Sequence, residues 1–151
     1  MINLKRTTSE DPDFIALVLE LDADLAARNG EEQNFYGQFN KLDSIKHVVV
    51  AYSQSTAVSC GAIKVFDTSS MEVKRMFTRP EARGNGIASQ LLAELERWTA
   101  ELAFTRCVLE TGIRHTEAIS LYQKSGYQLI PNYGQYAGVD TSVCFEKNIA
   151  G

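Results

Sequence analysis

Apolar residues recur at intervals of three or four positions in several segments of the chain, a spacing that places them on one face of an α-helix. The first such segment begins at Asp11 and Pro12, a capping residue followed by a proline suited to the first helical turn, and ends near Gly30. The others cover residues 87–102 and 116–125. The pattern therefore predicts amphipathic helices in these segments.

Alternating or continuous apolar runs predict strands in much of the remaining chain, at residues 2–7, 47–53, 57–66, 71–78, 106–110, 127–130 and 142–148. Short polar turns join the second, third and fourth strands, which predicts an antiparallel meander. The helix at 87–102 then crosses over to the next strand, so that this strand pairs in parallel with 71–78. We expect an α+β fold with a mixed, largely antiparallel sheet of about six to seven strands, flanked by about four helices.

Composition and charge narrow the class of protein. The chain has 151 residues, 44% of them hydrophobic, and no linker or repeat divides it, so we expect one domain over residues 1–151. A net charge of −4 argues against nucleic acid as a partner, because binding to a phosphate backbone needs a basic surface. No apolar run has the length of a membrane span or the character of a signal peptide. We therefore expect a cytoplasmic protein without a membrane partner.

The cysteines and histidines form no pattern typical of metal binding. Cys60, Cys107 and Cys144 are far apart, each within a predicted strand, and we interpret them as small buried apolar residues in a reducing compartment. The chain has two histidines and no close cluster of cysteine and histidine residues. We therefore expect no metal.

The junction between the strand at 71–78 and the helix at 87–102 contains the run Arg83-Gly84-Asn85-Gly86-Ile87-Ala88. Glycine allows backbone N–H groups to approach a bound group closely. The first turn of a helix has unpaired N–H donors and a partial positive charge, so an anion such as phosphate is the natural ligand. A strand-to-helix turn that needs glycine only for its geometry is the alternative.

Two common phosphate-binding motifs do not fit this junction. A Walker loop ends in Gly-Lys-Ser/Thr, whereas Gly86 is followed here by isoleucine and alanine. A dinucleotide-binding fingerprint needs a third glycine in the first strand–helix unit of a chain, whereas these glycines follow an antiparallel meander. A nucleotide-binding protein of either class is therefore not the expected function.

The chain as a whole resembles the GNAT (Gcn5-related) N-acetyltransferase family over residues 2–148. The family signature Arg/Gln-x-x-Gly-x-Gly/Ala is matched at each fixed position by residues 83–88. A second signature, Ala-Ile-x-Leu-Tyr-x-Lys-x-Gly-Tyr/Phe, is present at residues 118–127. The resemblance implies a GNAT-like fold with one splayed parallel strand pair, and an N-acetyltransferase that uses acetyl-coenzyme A as its acetyl donor.

The resemblance also implies which residues bind coenzyme A. Backbone N–H groups of residues 83–89 would bind the pyrophosphate. Backbone groups at the end of the fourth strand would hold the pantetheine arm, and one of them would stabilise the oxyanion formed during acetyl transfer. The cofactor-binding residues implied in this way are Met76, Phe77, Thr78, Arg83, Gly84, Asn85, Gly86, Ile87, Ala88, Ser89, His115, Ala118, Tyr122 and Lys124.

His115 is a departure from the family pattern. Relatives often carry an asparagine at this position, which contacts coenzyme A and begins the helix. Histidine still donates a hydrogen bond, but it is a weaker helix cap. A solvated residue at the helix start and a catalytic group are the alternatives for His115.

Acetyl transfer requires a base that deprotonates the amine and an acid that protonates the departing thiolate. The resemblance implies Tyr122 as the acid; a core tyrosine is the alternative. Glu72 is the first candidate for the base, acting directly or through water, and Glu110 is the second. Strand alternation places residues 72, 74, 76 and 78 on one face in the absence of a bulge.

The acceptor pocket is implied at residues 31–40 and 131–140. The first of these segments is either a connector or a lid. The candidate acceptor-binding residues are Gln33, Tyr36, Lys74, Glu110, Tyr133 and Tyr136. Lys74 either pairs with a substrate carboxylate or only neutralises Glu72. We expect a small amine, such as an amino-acid-like molecule, as the acceptor.

Alternative functions of the same fold remain at this point. One is a non-catalytic acyl-coenzyme A-binding module that senses or regulates, although the presence of Tyr122 argues against it. Another is an acetyltransferase that acts on a protein or peptide amine. A homodimer is compatible with any of these functions.

Overall fold

The computed structural model describes residues 2–29 and 45–149, which form a mixed sheet with helices on both faces. The strands are β1 (Ile2–Thr7), β2 (His47–Ser53), β3 (Thr56–Val65), β4 (Ser70–Thr78), β5 (Arg106–Gly112), β6 (Gln128–Ile130) and β7 (Ser142–Asn148). The α-helices of this part are α1 (Pro12–Asn29), α2 (Ile87–Glu101) and α3 (Thr116–Lys124), and short 3₁₀ turns lie at Pro80–Ala82 and Gly134–Tyr136.

The strand order of this seven-stranded sheet is β1-β2-β3-β4-β5-β7-β6. Neighbouring strands are antiparallel except β4 and β5, which are parallel and joined through α2. The predicted meander, crossover and mixed sheet are confirmed. None of the described helices combines the length and the apolar character needed to cross a membrane.

The start of α1 follows the sequence signal. The Asp11 carboxylate accepts a hydrogen bond from the Asp13 backbone N–H at 2.9 Å, and Pro12 is the first helical residue. Lys5 in β1 pairs with Asp11 at 2.8 Å. The predicted cap of α1 is therefore confirmed, and it ties the helix to the edge strand.

The sheet separates two apolar clusters. On the α2 face, α2 and α3 cover side chains that include Val49, Ile63, Met71, Leu91, Leu95, Tyr122 and Phe145. On the α1 face, α1 covers side chains that include Phe14, Leu17, Val48, Val50, Cys60 and Phe77. Tyr136 and Cys144 form a small third cluster beside the loop between β6 and β7. The three cysteines are free and buried, as predicted.

The parallel pair separates soon after it begins. Its register contains Ser70 opposite Arg106, Met71 opposite Cys107 and Glu72 opposite Val108, and no later pair. Both strands nevertheless continue, β4 to Thr78 and β5 to Gly112. The facing edges of these strand ends therefore do not form a ladder with each other, which leaves a gap in the sheet.

A β-bulge interrupts β4 beside this gap. Cys60 lies opposite Phe77, but Ala62 lies opposite Lys74, so β4 has one more residue here than β3. Arg75 in the bulge has a left-handed backbone with φ of 61°. The extra residue reverses the alternation of side chains.

The bulge makes one expectation wrong. Residues 72, 74, 76 and 78 do not share a face. Glu72 and Lys74 lie opposite Lys64 and Ala62, on the α1 face, whereas Met76 packs against the α2-face cluster. The inserted residue is the physical reason, because it turns the end of β4 over relative to its beginning.

Candidate active site

A cavity of about 590 Å³ lies where β4 and β5 separate. Its wall divides between the two faces of the sheet. The α2 half is formed by Val73, Met76 and Thr78 of β4, the loop and first turn of α2 from Ala82 to Ser89, and α3 with His115 before it. The α1 half is formed by Leu21, Asp24, Leu25, Lys74, Arg75, Phe77 and Glu110. The cavity therefore passes through the sheet.

The loop before α2 has the geometry of an anion site. Gly84 and Gly86 have left-handed backbones with φ of 82° and 75°, and Gly86 occupies the N-cap position of α2. No side chain in the described part of the chain caps this helix start. A Cβ at either glycine would meet nothing within 4 Å, so open space lies over the loop backbone. The unpaired N–H donors of the first turn of α2 are therefore available to a ligand.

Side chains of the loop hold it in this shape. The Arg83 Nε donates a hydrogen bond to the Thr78 carbonyl at 2.8 Å, and the Arg83 guanidinium lies 5.8 Å from the Phe77 ring centroid. The Asn85 amide donates to the carbonyls of Ala82 and Arg83 at 3.3 and 3.4 Å. These contacts join the loop to the end of β4.

The structure brings most of the residues predicted to bind the cofactor to the wall of this one cavity. They are Met76, Phe77, Thr78, Arg83, Gly84, Gly86, Ile87, Ala88, Ser89, His115, Ala118, Tyr122 and Lys124. Asn85 does not line the cavity, and its side chain supports the loop instead. His115 occupies the N-cap position of α3 without capping through its side chain, and its carbonyl accepts the Ile119 N–H at 3.0 Å.

Tyr122 lies in the α2 half and is 5% exposed. Its ring packs against Tyr127 and Phe145, with centroid distances of 5.8 and 6.4 Å. Burial raises the pKa of the Tyr122 hydroxyl above its usual value of 10, and the negative charge of Glu110 raises it further. The hydroxyl therefore remains protonated at neutral pH, which is the state that a proton donor needs.

Glu110 faces the cavity from β5, in the α1 half. Burial raises the pKa of its carboxyl to about 7. A hydrogen bond from Ser142 lowers this pKa, the charge of Glu72 raises it, and the charge of Lys74 lowers it. A carboxylate with a pKa near neutrality is suited to accept a proton under ordinary conditions.

Glu72 and two of the acceptor candidates, Tyr133 and Tyr136, do not line the cavity. The Glu72 carboxylate accepts a hydrogen bond from the Tyr133 hydroxyl at 2.8 Å. The Tyr133 ring packs edge-on against Phe66 at 4.7 Å and against Tyr136 at 5.9 Å. Glu72 thus fastens the loop between β6 and β7, whereas Lys74 and Glu110 reach the cavity wall.

Some residues of the cavity wall were not predicted, and those of α1 and of the bulge in β4 are the ones that shape the α1 half. The helix α1 contributes Leu21, Asp24 and Leu25 to the wall, although the sequence predicted only that this helix has an apolar face. Arg75 reaches it because of the bulge. The signal for the bulge was the pair Lys74-Arg75, two consecutive polar residues that break the alternation of β4. Gln33 and Tyr36, and the whole segment 31–40, lie outside the described residues.

Comparisons with known proteins agree with this geometry. A family model of the acetyltransferase (GNAT) domain matches residues 44–129. A protein of Azospirillum brasilense named IAA acetyltransferase is 32% identical to the chain over 149 residues, which cover 97% of each protein. A solved protein of Klebsiella pneumoniae, named as an acyl-CoA N-acyltransferase, is 30% identical with a TM-score of 0.83, and the match covers 99% of each chain.

The PaiA N-acetyltransferase of Thermoplasma acidophilum, solved in complex with coenzyme A, shares the fold with a TM-score of 0.73 at 17% identity, over 98% of this chain and 99% of its own. The chain therefore belongs to the GNAT family. It is an N-acetyltransferase that depends on acetyl-coenzyme A.

Proposed function

We propose that this enzyme transfers the acetyl group to a primary amine of a small molecule, by direct attack while both substrates are bound. The observation that supports this proposal is the cavity through the gap between β4 and β5, with Tyr122 in its α2 half and Glu110 in its α1 half. Two substrates that enter from opposite faces of the sheet would meet between these side chains.

The α2 half fits acetyl-coenzyme A. Within the implied segment 83–89, the backbone N–H groups of residues 84–89 would be the donors for its pyrophosphate, because the left-handed glycines leave open space over the loop, whereas the Arg83 N–H donates to the Pro80 carbonyl at 3.3 Å. The backbone of Met76, Phe77 and Thr78 would hold the pantetheine arm, because this edge of β4 forms no ladder with β5. A backbone N–H of the same segment is the donor for the oxyanion of the thioester carbonyl.

We assign the acid role to Tyr122. Its hydroxyl would donate a proton to the coenzyme A sulfur as the bond between carbon and sulfur breaks. The hydroxyl carries its proton at neutral pH, and the thiolate that forms as the bond breaks is a much stronger base than the thioester sulfur.

We assign the base role to Glu110 rather than to Glu72. Glu110 lines the cavity, whereas the Glu72 carboxylate accepts the hydrogen bond from Tyr133 beside it. The Glu110 carboxylate would take a proton from the acceptor ammonium and leave the neutral amine to attack. Glu72 then has a supporting role, because it fastens the loop with Tyr133 and acts on Glu110 by its charge.

A small acceptor fits the space better than a protein tail. The cavity of about 590 Å³ has the size of a small-molecule site, and it must contain the reacting ends of both substrates. Because the Azospirillum relative is named IAA acetyltransferase, IAA is one of the compounds to be tested as an acceptor.

The test is the pH dependence of thiol release from acetyl-coenzyme A with a panel of small amines. For the wild-type enzyme, kcat/KM should rise with pH through about 7, where Glu110 loses its proton. Glu110→Gln should lower kcat/KM by about 100-fold above pH 7 and remove this titration. The acceptor amine titrates at a higher pH, and this contribution is common to all variants.

Glu72→Gln is the matched control, because it makes the same change from carboxylate to carboxamide at a neighbouring position on the same face of the sheet. It should keep the titration near neutral pH, moved to lower pH because one negative charge beside Glu110 is lost. A titration that disappears in Glu72→Gln and persists in Glu110→Gln would reverse the assignment of the base.

A further inference from the structure

We propose that Lys74 and Arg75 form a binding site for a carboxylate of the acceptor, so that the substrates are small molecules that carry both a primary amine and a carboxylate. This inference rests on the proposed function, because it concerns the second substrate of the same reaction.

The bulge in β4 creates this pair of cations. Consecutive residues of a regular strand point to opposite faces, but Lys74 lies opposite Ala62 on the α1 face, and the Arg75 guanidinium contacts Asp22 of α1 on that same face. Both side chains line the α1 half of the cavity. The left-handed backbone of Arg75 costs about 1 kcal/mol or more, and such strain is concentrated at functional sites.

The Arg75 side chain is buried and in contact with α1. Its side chain is 2% exposed, and its Nη1 lies 3.4 Å from Asp22 Oδ1, whose own side chain is 44% exposed. The guanidinium fork is planar and can hold a carboxylate through two parallel hydrogen bonds. The contact with Asp22 ties the guanidinium to α1, and Arg75 lines the cavity wall, where an acceptor carboxylate would approach it.

The distribution of charge in the α1 half selects the class of acceptor. Lys74 is close enough to Glu110 for its charge to act on that carboxyl, and both line the cavity. If the acceptor amine lies at Glu110, a carboxylate separated from the amine by one or two carbon atoms would come within reach of Lys74 and Arg75. Lys74 and Arg75 bring two cations to a wall that also contains Asp24 and Glu110, so an acceptor with both an ammonium and a carboxylate finds a partner for each charge.

The experiment compares matched acceptors in the thiol-release assay at saturating acetyl-coenzyme A. Each set contains an α- or β-amino acid, its amide, and the amine that remains when the carboxylate is removed, with short and aromatic side chains represented. The wild-type enzyme should prefer the carboxylate-bearing member by about 10- to 100-fold in kcat/KM, the range of a charge-assisted hydrogen bond.

Lys74→Gln and Arg75→Gln should each remove most of this preference, measured at pH 8 as the ratio of kcat/KM for the amino acid to kcat/KM for the decarboxylated amine, because a change at Glu110 affects both acceptors equally. Lys46→Gln and Arg97→Gln are the matched controls, since both residues are exposed and lie outside the cavity wall. They should keep the preference. If Arg75→Gln fails to fold, as circular dichroism would show, Lys74→Gln decides the question, because Lys74 is not a buried residue.

Three results would overturn the inference. The first is a wild-type enzyme that acetylates the amides and the decarboxylated amines as fast as the amino acids. This result would overturn the inference and leave the proposed function intact. Equal losses for all members of a set in Lys74→Gln would show that Lys74 does not recognise the carboxylate. No thiol release with any amine, although acetyl-coenzyme A binds, would remove the proposed function and the inference together.

Discussion

The α2 half of the cavity contains one continuous stretch of loop backbone that is shaped for an anion, whereas the α1 half is assembled from side chains of α1, β4 and β5. In the α2 half, the loop from Arg83 to Ser89 provides donors through glycine geometry and the start of a helix. In the α1 half, Asp24, Arg75 and Glu110 are distant in the chain and come together at the gap in the sheet. One half therefore depends on local conformation and the other on tertiary packing.

This difference predicts which step of the reaction each substitution affects. A change in the loop before α2 should act on the affinity for coenzyme A, because the loop backbone is the proposed pyrophosphate site. A change in the α1 half should act on the acceptor and its proton. Tyr122 lies in the α2 half, but as the proposed acid it should act on the transfer step.

The largest expected effect is that of Gly86→Glu. Gly86 has φ of 75°, and open space surrounds the position of its Cβ, so the new carboxylate would occupy the proposed phosphate site. We expect coenzyme A affinity to fall by about 100-fold or more, equal to about 3 kcal/mol, as measured by titration calorimetry.

Gly138→Glu is the matched control for backbone strain. Gly138 has φ of 78° and also has open space at its Cβ, but it lies in the loop between β6 and β7. This variant should bind coenzyme A within about twofold of wild type. Equal losses in both variants would mean that strain, and not the phosphate site, explains the effect.

The next effect is that of Tyr122→Phe. Removal of the hydroxyl should lower kcat by about 100-fold, while the dissociation constant for acetyl-coenzyme A stays within a few-fold of wild type. Tyr127→Phe, which alters the neighbouring buried ring outside the cavity wall, is the control and should keep kcat. Unchanged turnover in Tyr122→Phe would show that another group protonates the thiolate.

The smallest expected effect is on stability. The folded-state pKa of Glu110 is about 7 and lies above the usual 4.5, so its ionisation opposes folding increasingly as pH rises from about 4.5 to 7. Glu110→Gln should therefore raise the free energy of unfolding by about 2 kcal/mol at pH 8, and by much less at pH 4.

Urea unfolding at the two pH values measures this difference, and Glu10→Gln, at an exposed position, is the control. The control should change stability by less than about 0.5 kcal/mol at either pH. A Glu110→Gln variant that is less stable than wild type at pH 8 would mean that the Glu110 carboxylate is stabilised, and not penalised, in the folded protein.

The strands and helices of this protein were largely predictable, because hydrophobic spacing is set by local geometry. The start of α1 at Pro12, the crossover through α2 and the left-handed glycines of the loop follow from residues that act within a few positions of one another. The loop before α2 could therefore be recognised as an anion site without any knowledge of its neighbours.

The acceptor side could not be predicted in the same way. Glu72 and Glu110 are both strand glutamates, and their spacing in the chain does not tell which one reaches the cavity. The early end of the parallel ladder, the hydrogen bond from Tyr133 to Glu72, and burial at Glu110 distinguish them. Each of these depends on residues far away in the chain.

The sequence by itself determined the family, the sheet and the loop that fits the pyrophosphate, because these depend on short-range spacing and on glycine. Only the tertiary structure decided that a bulge turns Lys74 and Arg75 to one face, and that Glu110 meets the cavity beside Tyr122. One inserted residue reverses the direction of every side chain beyond it, and the pairing of β3 with β4 determines where that residue is accommodated.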